Sequence, residues 1–130
     1  MPQAPLVSVV DDDRFNRASM RRLMTSLGYT VEDFASAADF LASSRFAEIA
    51  CLIADIHMPT MTGVELYRHL IVMGRAIPTI LVTGRPYCSE AARALNSGVI
   101  CYLSKPINEE CLVRCLHSAL QSDDPQDEDL

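Results

Sequence analysis

Five short apolar runs, separated by segments with helical periodicity, limit what this chain can fold into more than any other feature. They cover residues 6–10, 30–34, 51–54, 78–82 and 100–103. Three of them are apolar almost without interruption, as a strand must be when helices cover both faces of its sheet. The run at 30–34 carries Glu32 and Asp33 and therefore belongs at an edge. Strands alternating with helices in this way predict an α/β protein, a parallel sheet with helices on both faces.

The intervening segments supply the helices. Met20, Leu23, Met24 and Leu27 form a stripe that stops at Gly28, a candidate C-cap. Ser36 followed by Asp39 resembles a capping box, with Ala37, Phe40 and Leu41 facing inward. Val64, Tyr67, Leu70 and Ile71 make a third stripe, closed near Gly74. A short Ala-rich helix is expected over 89–95, stopped by Asn96-Ser97-Gly98. The last helix begins at Asn108 with Glu109 and Glu110 in its first turn, where acids suit the helix dipole, and buries Leu112, Leu116, Ala119 and Leu120. No internal repeat is present.

The chain's 130 residues suit one domain with one core. Residues 1–121 are expected to form it, and the acidic stretch 122–130 reads as a tail or the start of a linker. A formal net charge of −6 argues against direct binding of nucleic-acid phosphates by this chain. No apolar run is long enough for a bilayer, and Met1-Pro2-Gln3-Ala4-Pro5 lacks the pattern of a signal peptide. Cytoplasmic location is the expectation. The 5 cysteines show no disulfide-like spacing, so reduced thiols are expected. That includes Cys51 and Cys101 in strand-like runs. Cys111 and Cys115, four apart near His117, have only a slight claim to a metal or redox role.

Parallel strands all exit at one sheet edge, and ligands in such folds bind beyond the carboxyl ends of the strands. The rule gathers Asp11 and Asp12 after the first strand, Asp55 after the third, Thr83 after the fourth and Lys105 after the fifth. Carboxylates about 4 Å apart repel by roughly 4 kcal/mol at an effective dielectric near 20, so the cluster must raise some pKa values or recruit a cation. An oxygen-rich site of this kind suits Mg²⁺ together with phosphate oxygens. Each residue also has a plainer reading. The Asp11-Asp12-Asp13 triplet is also a good helix cap, Lys105 a surface lysine, and Thr83 a strand end. The Lys105–Pro106 bond tolerates a cis form.

Val9-Val10-Asp11-Asp12, Asp55-Ile56-His57-Met58-Pro59, Val82-Thr83-Gly84 and Leu103-Ser104-Lys105-Pro106, in this order, resemble the receiver domain of two-component response regulators. The resemblance runs from about Leu6 to Leu120. The Thr-Gly pair and the Asn-Ser-Gly turn are most similar to the nitrogen-fixation-regulator branch. It implies a flavodoxin-like fold, a doubly wound five-stranded parallel sheet of strand order 2-1-3-4-5. It also implies that Asp55 accepts a phosphoryl group from a sensor histidine kinase. Asp11, Asp12, Asp55 and the backbone carbonyl of His57 match the Mg²⁺ site, Asp11 acting mainly through a bound water. Thr83 and Lys105 match the contacts to phosphoryl oxygens, and Thr83 and Tyr102 match the switch pair. Tyr102 also reads simply as a half-buried strand-end tyrosine. The family's switching face, formed by helix 4, strand 5 and helix 5, is the implied surface for a homodimer, and a DNA-binding output domain is a common attachment.

The chain departs from the pattern in three places. Thr62 stands where an Asp often precedes Gly63, which changes the loop's capping. His57 and Arg85, two residues beyond Asp55 and Thr83, bring bulk beside the path of an attacking water and are expected to alter the phosphoryl lifetime. Two rival readings are a degenerate receiver that only binds partners and an Asp-nucleophile phosphatase. The second is disfavoured because Asp55-Ile56-His57 lacks that class's second acid. Neither a Gly-x-Gly-x-x-Gly nor a P-loop occurs, which disfavours a nucleotide-binding module.

Overall fold

The computed structural model describes residues 4–84 and 101–121. The helix expected over 89–95, Arg85 and the acidic stretch 122–130 lie outside them. Within the described residues, five parallel strands form one sheet in the order β2-β1-β3-β4-β5. The strands are β1 (Leu6–Val10), β2 (Thr30–Phe34), β3 (Ile49–Asp55), β4 (Thr79–Thr83) and β5 (Cys101–Ser104). The helices are α1 (Arg14–Ser26), α2 (Ala37–Leu41), α3 (Gly63–Val72) and a C-terminal helix, Glu109–Gln121. This is the flavodoxin-like, doubly wound arrangement, with the acidic 30–34 run at the edge as expected.

Successive strand residues point to opposite faces, which explains why the inner runs must be apolar throughout. Cys51 and Ile53 of β3 pack with Val7, Val9, Met24, Leu112 and Leu116 on the face covered by α1 and the C-terminal helix. Leu52 and Ala54 pack with Val10, Phe40, Val64 and Leu70 on the face covered by α2 and α3. Burial pushes the Cys51 thiol up to about 12, which keeps it protonated at neutral pH. Cys51 and exposed Cys111 are free thiols. Cys115 is disulfide-bonded, against the expectation of reduced thiols. It packs against the apolar cluster of the sheet face, a placement that helical spacing from Cys111 did not specify.

Local signals set the element ends. Gly28 (φ 97°) and Gly74 (φ 79°) adopt left-handed conformations after α1 and α3, as helix-terminating glycines do. Ser36 Oγ accepts from the Asp39 amide at 3.1 Å. Thr62 and Glu65 form a complete capping box, Thr62 N–H to Glu65 Oε1 at 2.9 Å and Glu65 N–H to Thr62 Oγ1 at 3.1 Å. The departure at Thr62 is therefore a working cap. The third stripe is centred differently from the sequence expectation: Leu66 is buried while Ile71 is 46% exposed. Among the described residues no helix is long and apolar enough to cross a membrane.

Candidate functional site

Strand register brings the distant residues level. Val10 pairs with Ala54, Asp55 with Val82, and Thr83 with Ser104. Asp11, Asp55, Thr83 and Lys105 therefore arrive along one rim. Asp11 and Asp55 are each 7% exposed, whereas Asp12 reaches solvent.

Lys105 links the two buried acids. Its Nζ donates to Asp55 Oδ2 at 2.9 Å and to Asp11 Oδ2 at 3.4 Å. The remaining oxygens accept backbone amides, Asp55 Oδ1 from His57 at 2.9 Å and Asp11 Oδ1 from Asp13 at 2.9 Å. Burial raises the Asp11 pKa, the nearby Asp55 charge adds to that rise, and the Asp13 amide and Lys105 only partly offset it. For Lys105, burial pulls the pKa down, but the hydrogen bond to Asp55 and the two carboxylate charges outweigh it and the net shift is upward. The Lys105–Pro106 peptide is cis.

The aspartate triplet divides its work. Asp13 caps α1, its Oδ1 accepting from Phe15 at 2.8 Å and Asn16 at 3.2 Å, and these amides lower its pKa. Asp11 and Asp12 are left to the rim, so the capping reading holds on Asp13. Carboxylate oxygens of Asp11, Asp12 and Asp55 all lie within 4.8 Å of one another. Three hard oxygen donors with one side open to water are a donor set that Mg²⁺ fits.

Thr83 is fully buried at the end of β4, and its carbonyl accepts the Lys105 N–H at 2.8 Å. Its hydroxyl lies 3.2 Å from Nε2 of His57. Tyr102 is half-buried on β5 and packs against the apolar cluster on the α2–α3 face. A cavity of about 310 Å³ opens beside Asp11, Asp55 and Lys105 and extends past Met20, Leu23 and Ile53.

Three features escaped sequence reasoning. Gly63 is one: a Cβ there would sit 2.5 Å from the Asp55 carbonyl oxygen. Its only sequence signal is a glycine opening a helix just after the Met-Pro turn. Arg17 is another. Its Nη1 donates to the Asp11 carbonyl at 2.7 Å and its Nε to Asp33 Oδ2 at 3.2 Å, while Arg21 also binds Asp33. The turn after β1 is thus anchored to the edge strand. The third is Thr60, a β-branched residue at φ 72°, in the loop between Asp55 and α3. Left-handed backbone costs such residues about 1–2 kcal/mol.

An open parallel sheet of this order, with acids and a lysine gathered at its carboxyl edge, defines the CheY-like class of flavodoxin-like folds. Residues 7–117 match the family "Response regulator receiver domain", and the chain belongs to that family. It is 33% identical over 119 residues to the response regulator protein TodT of Pseudomonas putida, covering 92% of this chain and 52% of that protein. Among solved structures, response regulator StyR superposes with TM-score 0.85 at 34% identity, over 96% of this chain and 63% of that one. FixJ-N superposes with TM-score 0.82 at 30% identity, over 93% of this chain and 96% of that one. The chain spans about half the length of the curated relatives it matches. Receivers are signalling domains rather than enzymes of turnover.

Proposed function

We propose that this chain takes a phosphoryl group onto Asp55 from the phosphohistidine of a sensor histidine kinase and acts as a transient switch. The observation that carries the reading is the rim itself, two buried aspartates bridged by one lysine with a third aspartate beside them. Phosphoryl transfer asks a protein chiefly for positioning and charge neutralisation, and this arrangement supplies both. A carboxylate oxygen of Asp55 bonds to phosphorus as the phosphorus–nitrogen bond of the phosphohistidine breaks, its electron pair leaving with the imidazole. Lys105 steadies the incoming oxygens, and Thr83 offers its hydroxyl to one of them.

Asp12, Asp55, the His57 backbone carbonyl and, through water, Asp11 would hold Mg²⁺. When bound, the ion supplies charge neutralisation for the phosphoryl oxygens. The added charge of nearly two units at Asp55 draws Thr83 toward the site, with Tyr102 following. That shift biases the face formed by β5 and the C-terminal helix. The same face is the proposed surface for a homodimer, and residues 122–130 the proposed tail or link toward an output domain. In this reading, DNA binding belongs to an output domain and not to this acidic chain. The reading places the protein in the cytoplasm, where a kinase and a transcriptional output are both within reach.

Melting curves with and without Mg²⁺ test the metal half of this reading. An ion that binds only the folded chain stabilises it by about 2.7 kcal/mol at a hundred times its Kd, so wild type should melt higher in Mg²⁺. Asp12→Asn should lose most of that gain. A wild type indifferent to Mg²⁺ contradicts the assignment.

A further inference from the structure

The phosphoryl-acceptor reading uses the His57 side chain only as bulk, yet the structure places its imidazole between the acceptor and the threonine. Its backbone N–H is fixed on Asp55 Oδ1 at 2.9 Å, so the residue cannot drift from the acceptor. Its ring crosses from the β3 rim to the neighbouring strand, where Nε2 meets the Thr83 hydroxyl at 3.2 Å. A hydroxyl both donates and accepts, so the bond forms with either imidazole tautomer.

We infer that the His57 imidazole is a positioning residue that latches the Thr83 hydroxyl in the resting state, in competition with a phosphoryl group on Asp55. This rests on the roles proposed above for Asp55 and Thr83. Threonine side chains occupy discrete staggered rotamers, so a hydroxyl turned onto a phosphoryl oxygen leaves the position where the imidazole holds it. The His57–Thr83 bond then exists in the resting state and is broken in the loaded one. A ligand moves an equilibrium only by its differential affinity for the two states, and a bond present in one state alone enters that difference directly. A net hydrogen bond of about 1 kcal/mol corresponds to roughly fivefold in affinity. His57 therefore sets a threshold on switching as well as standing in the path of water.

Beryllium fluoride with Mg²⁺, a phosphoryl mimic, is the probe, and its affinity is read by calorimetry. The proteins are wild type, His57→Leu, His57→Gln, Thr83→Val and the double variant His57→Leu/Thr83→Val. Leucine keeps bulk beside the site and removes the bond, while glutamine keeps a group able to hold the hydroxyl. The latch predicts roughly fivefold tighter binding for His57→Leu, near wild-type binding for His57→Gln, and no effect of His57→Leu once Thr83 is valine. Should leucine lower the melting temperature, His57→Ala replaces it in the same cycle. Equal effects in the threonine and valine backgrounds overturn the latch, because they assign His57 a role in access or bulk. An unchanged or weakened affinity in His57→Leu overturns it as well. Failure of the wild type to bind the mimic brings down the Asp55 reading together with the latch, whereas binding with additive effects brings down the latch alone.

Discussion

Lys105→Met is expected to destabilise the metal-free protein by about 2 kcal/mol at neutral pH. Removing one partner of a fully buried pair typically costs about 3–5 kcal/mol. The lysine side chain is 25% exposed, which places the expected cost below that range. The variant leaves Asp11 and Asp55 buried beside each other without their shared ammonium. Asp11, whose pKa burial raises, then loses the ammonium that partly offset that rise in the folded state. A folded pKa raised above the unfolded one favours the fold below the unfolded pKa and loses that contribution as pH rises through the folded pKa. The deficit should therefore be small near pH 4 and grow toward pH 7. If the same acids hold Mg²⁺ as proposed, the ion should restore part of it. Urea melts at the two pH values, each with and without Mg²⁺, measure all three effects. A deficit independent of pH would mean that Lys105 stabilises the fold by packing rather than by pairing the acids.

Gly63→Ala carries a comparable cost by a steric route. The new methyl would stand 2.5 Å from the Asp55 carbonyl oxygen and 3.1 Å from Leu81 Cδ2. The Gly63 N–H is held by the Ile56 carbonyl at 3.1 Å, so α3 cannot retreat without breaking that bond. Overpacking of this kind costs about 1–3 kcal/mol, and backbone on one side of the clash places this case at the upper end. The melting temperature should fall by roughly 5–10 °C. Mg²⁺ should also bind more weakly, because the residue displaced is Asp55. Gly84→Ala, with no atom of the described residues within 4 Å of its added methyl, is the control and should change stability little. Equal melting of the two variants would show that α3 tolerates the methyl.

Much of this was legible because the signals were local or followed a fold rule. Apolar runs at 6–10 and 51–54 named buried strands, Glu32 and Asp33 marked the edge, and Gly28 and Gly74 ended helices where their φ values require glycine. The convergence of Asp11, Asp55, Thr83 and Lys105 followed from parallel strands sharing an exit edge, with no single spacing revealing it. Pairings across space were not legible. Nothing near Arg17 in the sequence names Asp33 or the Asp11 carbonyl as its partner. Nothing near His57 announces that its ring meets Thr83. Gly63 reads as an ordinary helix start until the Asp55 carbonyl is seen against it. Ile71 continues an i, i+4 pattern from Tyr67 and so reads as inward, while the buried arc of α3 is centred nearer Leu66 and Leu70.

Intact mass after incubation with acetyl phosphate and Mg²⁺, for wild type and Asp55→Asn side by side, tests the central claim most directly. The account predicts that wild type gains a single phosphoryl group and that Asp55→Asn gains none. A wild type that gains nothing, or an Asp55→Asn protein that still gains one, would contradict it.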